Sequence, residues 1–252
     1  MNRLTNSPAP SAGNSFRTQA KVAVAERRQS QSYNSLAYQL MAPIHYEANY
    51  AYPLLVWLHS AGDDQRQLQR IMPHVSLRNY VAVGPRGVVA EPNGYSYCWS
   101  HDSASPEAAW RSVHESIQIA RQQYNVNPSR IFLAGHNDGG TMALRLALSE
   151  PELFAGAVSI GGAFPQNGAP LSRLKALRRL PLLMMRGMES QDYSESRLCD
   201  EIRLFHAAHM QVHLRQYTCG DDLLVPMLRD LDAWLMEQVT GSPVLAENDA
   251  AV

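Results

Sequence analysis

Short apolar runs alternate with amphipathic stretches along most of the chain. Pro53–His59, Tyr80–Val83, Arg130–Ala134, Ala155–Ile160, Pro181–Met185 and Val212–Tyr217 are apolar runs of strand length. Between the second and third runs, Pro106 to Tyr124 places Trp110, Val113, Ile117, Ala120 and Tyr124 on one helical face. Ser105 is suited to cap that helix, and Pro106 to its first helical position, where a missing N–H costs nothing. Leu228, Leu231, Leu235 and Val239 form a similar face near the C-terminus. Strand and helix signals that alternate in this way predict an α/β fold in three layers, a mostly parallel sheet flanked by helices. No internal repeat interrupts the pattern.

The pattern fades at both ends. Residues 1–32 are rich in Ser, Asn, Gln, Ala and Pro and carry Arg3, Arg17, Lys21, Arg27 and Arg28 against the single acid Glu26, which predicts a disordered, solvated tail. Residues 240–252 read as a second frayed end, leaving one domain over 33–239. Hydrophobic residues make up 45% of the chain and charged residues 18%, enough to build a core and too ordinary for collagen, coiled coil or wholesale disorder. The 22 basic and 23 acidic residues nearly cancel, so the summed field favours neither nucleic acid nor an anionic membrane. Cys98, Cys199 and Cys219 have no paired spacing, which argues against a disulfide framework and a zinc site and for a reducing compartment. With no apolar stretch near the ~18 residues of a membrane span and no apolar N-terminal signal core, a cytoplasmic location is expected.

The most informative stretch is Arg130-Ile-Phe-Leu-Ala-Gly135-His136-Asn137-Asp138-Gly139-Gly140, an apolar strand that ends in glycines and passes directly into a helix. In G-x-S-x-G turns the central residue is held in a strained conformation between small neighbours, with its side chain exposed over the helix N-terminus. Here the centre is Asn137. At this point the chain resembles the α/β-hydrolase superfamily, and more closely its phospholipase/carboxylesterase (dienelactone-hydrolase-like) branch. The resemblance covers roughly 36–239. It includes Pro53-Leu-Leu-Val-Trp-Leu-His59-Ser60-Ala61-Gly62 as the oxyanion strand and loop, Pro151 to Val158 after the elbow, and Met227 to Met236 as the closing helix. It implies a three-layer α/β-hydrolase fold and a serine ester hydrolase.

The chemistry departs from that implication. The family's order is Ser, acid, His. Its serine falls on Asn137, whose carboxamide is not a useful nucleophile. The acid position, three residues after Gly187, falls on Ser190, with Glu189 and Asp192 close by. The histidine position, about five residues after Tyr217, falls on Asp222, with Asp221 as the one-residue alternative, and no histidine follows His213. Ser60 replaces the first glycine of the oxyanion loop, whose N–H donors would be those of Ala61 and Asp138. His136 resembles a packing residue of active relatives, and His206 and His209 fall on the helix before the last strand.

An aspartate nucleophile would have to stand at 137, and Asp138 is one residue too late. Asp63, Asp64, Asp138, Asp221 and Asp222 are oxygen ligands in principle, but loop aspartates more often cap helices, so neither a metal nor another cofactor is expected. His59, Ser60, His136, Trp99 and Asp221 are the pocket candidates, and Tyr95, Tyr97 and Trp99 alternate as a ligand face or a packed strand. The expectation is a pseudoenzyme without the Ser and His of its triad, with Asn137 facing Asp222, that binds a small-molecule ligand or an unidentified protein partner. An ester hydrolase using other residues and an interaction scaffold are the alternatives.

Overall fold

The computed structural model describes residues 37–92, 94–99, 105–167 and 169–241. The tail expected over 1–32 lies outside them. Apolar runs become the interior of a sheet. β2 (Tyr52–Leu58), β3 (Val81–Pro85), β7 (Gly156–Ile160) and β8 (Leu182–Gly187) are buried at every position. Strands covered on both faces need apolar side chains on both, which is why these segments read as continuous runs. With β1 (Tyr38–Met41), β6 (Val126–His136) and β9 (Val212–Tyr217) they form a seven-stranded sheet in the order β1-β3-β2-β6-β7-β8-β9. Every pairing is parallel except β1 with β3, at the edge.

Residues of alternating parity on each strand feed two separate cores. Leu54, Val56, Leu133, Leu182 and Met184 face α2 (Ser105–Gln123), α3 (Asp138–Ser149) and α5 (Glu195–Ala208), meeting Val113, Ile117, Met142, Leu146 and Phe205. Leu55, Trp57, Phe132, Val158, Leu183 and Met185 face α1 (Gln67–Val75) and α6 (Val225–Thr240), meeting Leu68, Ile71, Leu231, Trp234 and Leu235. The product is a three-layer α/β arrangement. A short helix, α4 (Leu174–Leu177), and a two-residue ladder of β4 (Val89–Ala90) with β5 (Tyr97–Cys98) complete the elements among the described residues. Among the described residues no helix is long and apolar enough to cross a membrane.

Several boundaries move. β6 begins at Val126 rather than Arg130, because its first residues pair with Tyr52 across an irregularity before the parallel register resumes at Leu54 and Ile131. Thr240 is the last residue of α6 and not the start of a frayed end: its hydroxyl donates to the Met236 carbonyl, and Gly241 closes the helix at φ 68. Of the aromatic alternation, Tyr95 is exposed and Tyr97 lies under the Arg86 guanidinium, whereas Trp99 is fully packed in the core. These three residues therefore do not form a common ligand face.

Candidate functional site

The elbow joins β6 to α3 at Asn137, which adopts φ 49 and ψ −115. Its backbone is fixed from both sides. The Asn137 N–H donates to the Ile160 carbonyl at 2.8 Å, and its own carbonyl accepts from the Thr141 N–H at 3.0 Å. A Cβ on Gly135 would overlap the Gly139 carbonyl, and one on Gly139 would overlap the carbonyls of Leu58 and His59. Glycine is needed at both because the turn presses α3 directly onto β2. The Asn137 side chain makes one long contact, from Nδ2 to the Asp221 carbonyl at 3.5 Å, while its buried Oδ1 has no hydrogen-bond partner.

The expected pairing of Asn137 with Asp222 is not what the structure holds. Asp221, one residue earlier, comes against Asn137, and its carboxylate turns to Ser190: the Ser190 hydroxyl donates to Oδ1 and the Gln191 N–H to Oδ2 at 3.1 Å. Burial raises the Asp221 pKa, but the Ser190 hydroxyl and the N–H groups of Gln191 and Asp192 more than offset it, and the carboxyl titrates below the usual range. Ser190 is itself fixed by accepting from the Tyr193 N–H at 2.9 Å. Ser190 and Asp221 are thus joined as hydroxyl and carboxylate, with no imidazole between them.

The loop after β2 also departs from expectation. The Ala61 N–H, expected to be a free donor, is hydrogen-bonded to Oδ1 of Asp138, and Oδ2 of the same carboxylate accepts from the Trp99 N–H at 2.9 Å. Asp138 begins α3, and its side chain folds back across the loop after β2 instead of leaving the helix N-terminus open. Burial is the main influence on this carboxyl and raises its pKa, against the hydrogen bonds from Trp99, Ala61 and Gly139. The next loop donor, the Gly62 N–H, is taken by Glu91 at 2.9 Å, whose other oxygen accepts from the Ser96 hydroxyl at 2.6 Å. Glu91 is the residue that sequence reasoning passed over. It lies 29 positions from Gly62, and no spacing rule links them.

His59 belongs to the frame. It is fully buried, its Nε2 accepts from the Gly87 N–H at 2.8 Å, and its Nδ1, which must then carry the proton, donates to the Ser60 carbonyl at 2.9 Å. Its carbonyl accepts from the Trp99 indole at 2.9 Å, so Trp99 packs against the loop and does not line a pocket. Ser60 accepts from the Gln67 amide at 3.1 Å, and the Gln67 oxygen accepts from the Trp57 indole at 2.7 Å. His136 is different. It is buried, yet neither ring nitrogen has a hydrogen-bond partner. Burial lowers its pKa, against the nearby carbonyl of Asp221 and the negative charges of Asp221, Asp222 and Asp63, none of which closes a hydrogen bond to the ring.

The loop aspartates do not assemble a metal site. Asp63 accepts from Arg70 and from Gln67 at 3.0 Å, and Asp64 from the Arg66 N–H at 2.8 Å and its guanidinium at 2.7 Å. Among the described residues no cluster of three or more His, Cys, Asp or Glu is placed to hold an ion.

A model of the phospholipase/carboxylesterase family matches residues 41–236. The NocK protein of Nocardia uniformis subsp. tsuyamanensis is 29% identical over 147 residues, 54% of this chain and 39% of that protein. An acetylxylan esterase of Coprinopsis cinerea is 32% identical over 120 residues, 44% of this chain and 31% of the other. The matched part of the chain thus spans about a third of the length of these relatives. Among solved structures, a carboxylesterase from Mesorhizobium loti superposes with a TM-score of 0.66 at 18% identity, over 80% of this chain and 94% of that one.

Proposed function

The chain belongs to the phospholipase/carboxylesterase family of α/β-hydrolases, and from that premise we propose that it binds a small neutral or cationic molecule over the elbow and does not hydrolyse esters through a covalent intermediate. The observation that carries this reading is the Asp138 carboxylate on the Ala61 N–H. An acyl-transfer site needs that donor for the oxygen that becomes negative in the transition state. Here a developing oxyanion would meet an existing negative charge. At ~4 Å and an effective dielectric of ~20 the repulsion is about 4 kcal/mol, roughly a thousandfold in rate before any nucleophile is considered.

The other positions support the same reading. Asn137 offers no hydroxyl, and the Ser190–Asp221 pair offers no imidazole to accept a proton or return it to a leaving group. What remains beside Asn137 is the negative charge of Asp221 and Asp222, which favours a ligand that carries donors or positive charge. The purified protein should take no label from a fluorophosphonate probe and should not turn over p-nitrophenyl acetate above background. In a thermal-shift series amines or polyols should raise Tm while carboxylates and phosphates do not. Stoichiometric labelling, or stabilisation by anions alone, would overturn the proposal.

A further inference from the structure

We propose that Asn137 is a site of self-modification, in which the backbone nitrogen of Asp138 closes on the Asn137 side-chain amide to form a succinimide that water opens to aspartate or isoaspartate. The inference stands apart from the ligand-binding reading and needs no ligand.

The first support is backbone geometry. A five-membered succinimide needs Cβ, Cα, C and the following nitrogen in nearly one plane. The substituents of a tetrahedral Cα are about 120° apart, so for an L residue this plane is reached near ψ of about −120°. Helical and extended residues, at ψ of roughly −20 to −70° or +100 to +180°, must leave their own conformation to reach it. Asn137 rests at ψ −115. The conformation is imposed from outside by the hydrogen bonds to Ile160 and Thr141 and by the close packing at Gly135 and Gly139, so the chain has already lost the freedom that ring closure would otherwise remove.

The second support is the absence of competing bonds. Asp138 is the first residue of α3, and its N–H is one of the four at a helix start without an acceptor inside the helix, so converting it to an imide nitrogen gives up no helical hydrogen bond. The carboxamide under attack is held only by the 3.5 Å contact of Nδ2, with Oδ1 unpartnered.

The chemistry balances with water alone. The Asp138 amide proton passes to solvent as its nitrogen bonds to Cγ of Asn137. The Cγ–Nδ2 bond then breaks, and the nitrogen takes a proton from water and leaves as ammonia. One water then adds to the ring. Opening at Cγ leaves an ordinary aspartate in place of the asparagine, and opening at the backbone carbonyl gives isoaspartate with the main chain routed through Cβ. Either product adds one negative charge beside Asp138 and Asp221.

The test is peptide mapping by mass spectrometry of the full chain, kept folded in isotopically heavy water at mildly alkaline pH and compared with the same chain in denaturant. Asn93 and Asn167, each followed by glycine, provide internal clocks because a following glycine leaves the attacking nitrogen unobstructed. In the folded chain the peptide containing Asn137 should lose ammonia and then take up heavy oxygen about tenfold faster than in denaturant, the factor that fixing one residue's backbone in advance supplies. Asn137→Gln, which would have to close a larger ring, should abolish the change in that peptide. A folded-state rate no faster than the denatured one, or an unmodified Asn137 peptide after both Asn–Gly peptides have converted, overturns the proposal.

Discussion

Replacing Asp138 by alanine tests whether this carboxylate is held against its electrostatic preference. The variant removes the carboxylate that accepts from the N–H groups of Ala61, Trp99 and Gly139. Ala61 is exposed, so water takes over its donor at little cost, whereas the Trp99 N–H leads into a residue that is 2% exposed. An unsatisfied donor there costs about 1–3 kcal/mol. The removed group is also a partly dehydrated charge, and relieving it offsets part of that loss. The expected net is a destabilisation of about 1–2 kcal/mol at neutral pH, or a Tm lower by roughly 2–8 °C for a domain of this size.

The sign of the pH dependence is the sharper test. The folded pKa of Asp138 is raised above its ordinary 3.8. Its stabilising contribution is therefore fully present below that ordinary value and is lost as pH rises through the folded one. Urea unfolding of wild type and Asp138→Ala across a pH series should give a deficit that is largest in acid and shrinks toward neutrality. A deficit that grows with pH would refute this sign and mean that the N–H groups of Trp99, Ala61 and Gly139 outweigh burial. The same variant frees the Ala61 donor, so carboxylates that leave the wild-type Tm unchanged should raise that of the variant.

Three further substitutions bear on the site and its frame. His136 is buried without partners and its pKa lies below 6.5, so its contribution is present above that value and lost as pH falls. His136→Leu should match or exceed wild-type stability at neutral pH, with a margin that widens on acidification in thermal melts; a narrowing margin would refute this. Glu201 is buried and accepts from the Tyr193 hydroxyl, the Phe164 N–H at 3.1 Å and the Arg197 guanidinium at 3.0 Å. Glu201→Ala should therefore cost about 3–5 kcal/mol in urea unfolding, because three donors lose one acceptor, and a change below about 1 kcal/mol would contradict the network. Asn137→Ser places a hydroxyl at the elbow, yet should remain inactive toward p-nitrophenyl acetate, since no imidazole stands at the Ser190–Asp221 pair and the Ala61 donor is taken. Turnover by this single variant would show that the missing groups are supplied elsewhere.

The strands were legible because burial on both faces leaves a simple mark, as in Leu54-Leu55-Val56 and Leu182-Leu183-Met184. β1 leaves no such mark: Tyr38, Gln39, Leu40 and Met41 are all half-buried at the antiparallel edge. α1 is legible only as a helix beginning near Asp63; it starts at Gln67, and its nine residues with Pro73 inside them are too short and interrupted to show an apolar face. At the site, the elbow could be read from Gly135, Gly139 and the strand before them, because steric overlap dictates those letters. The direction of a side chain could not. Nothing local indicates that Asp138 reaches back 77 residues to Ala61, or that Glu91 ends on Gly62. The choice of Asp221 over Asp222 is a one-residue phase within a loop, where no periodicity operates.

The packing at the elbow bears on what a glycine signature can reveal. Gly135 and Gly139 are demanded by carbonyl groups of β2 and α3, and at Gly161, where φ is 74, a Cβ would collide with the Asn137 side chain. None of these requirements involves a proton transfer. A change of the residue between Gly135 and Gly139 leaves the demand for these glycines in place, because a side chain at either would push a helix off the sheet. The spacing is therefore a record of shape. In a newly met sequence it identifies the frame, while the single letter between the glycines, and the direction in which its neighbour's carboxylate points, determine whether any chemistry is carried on it.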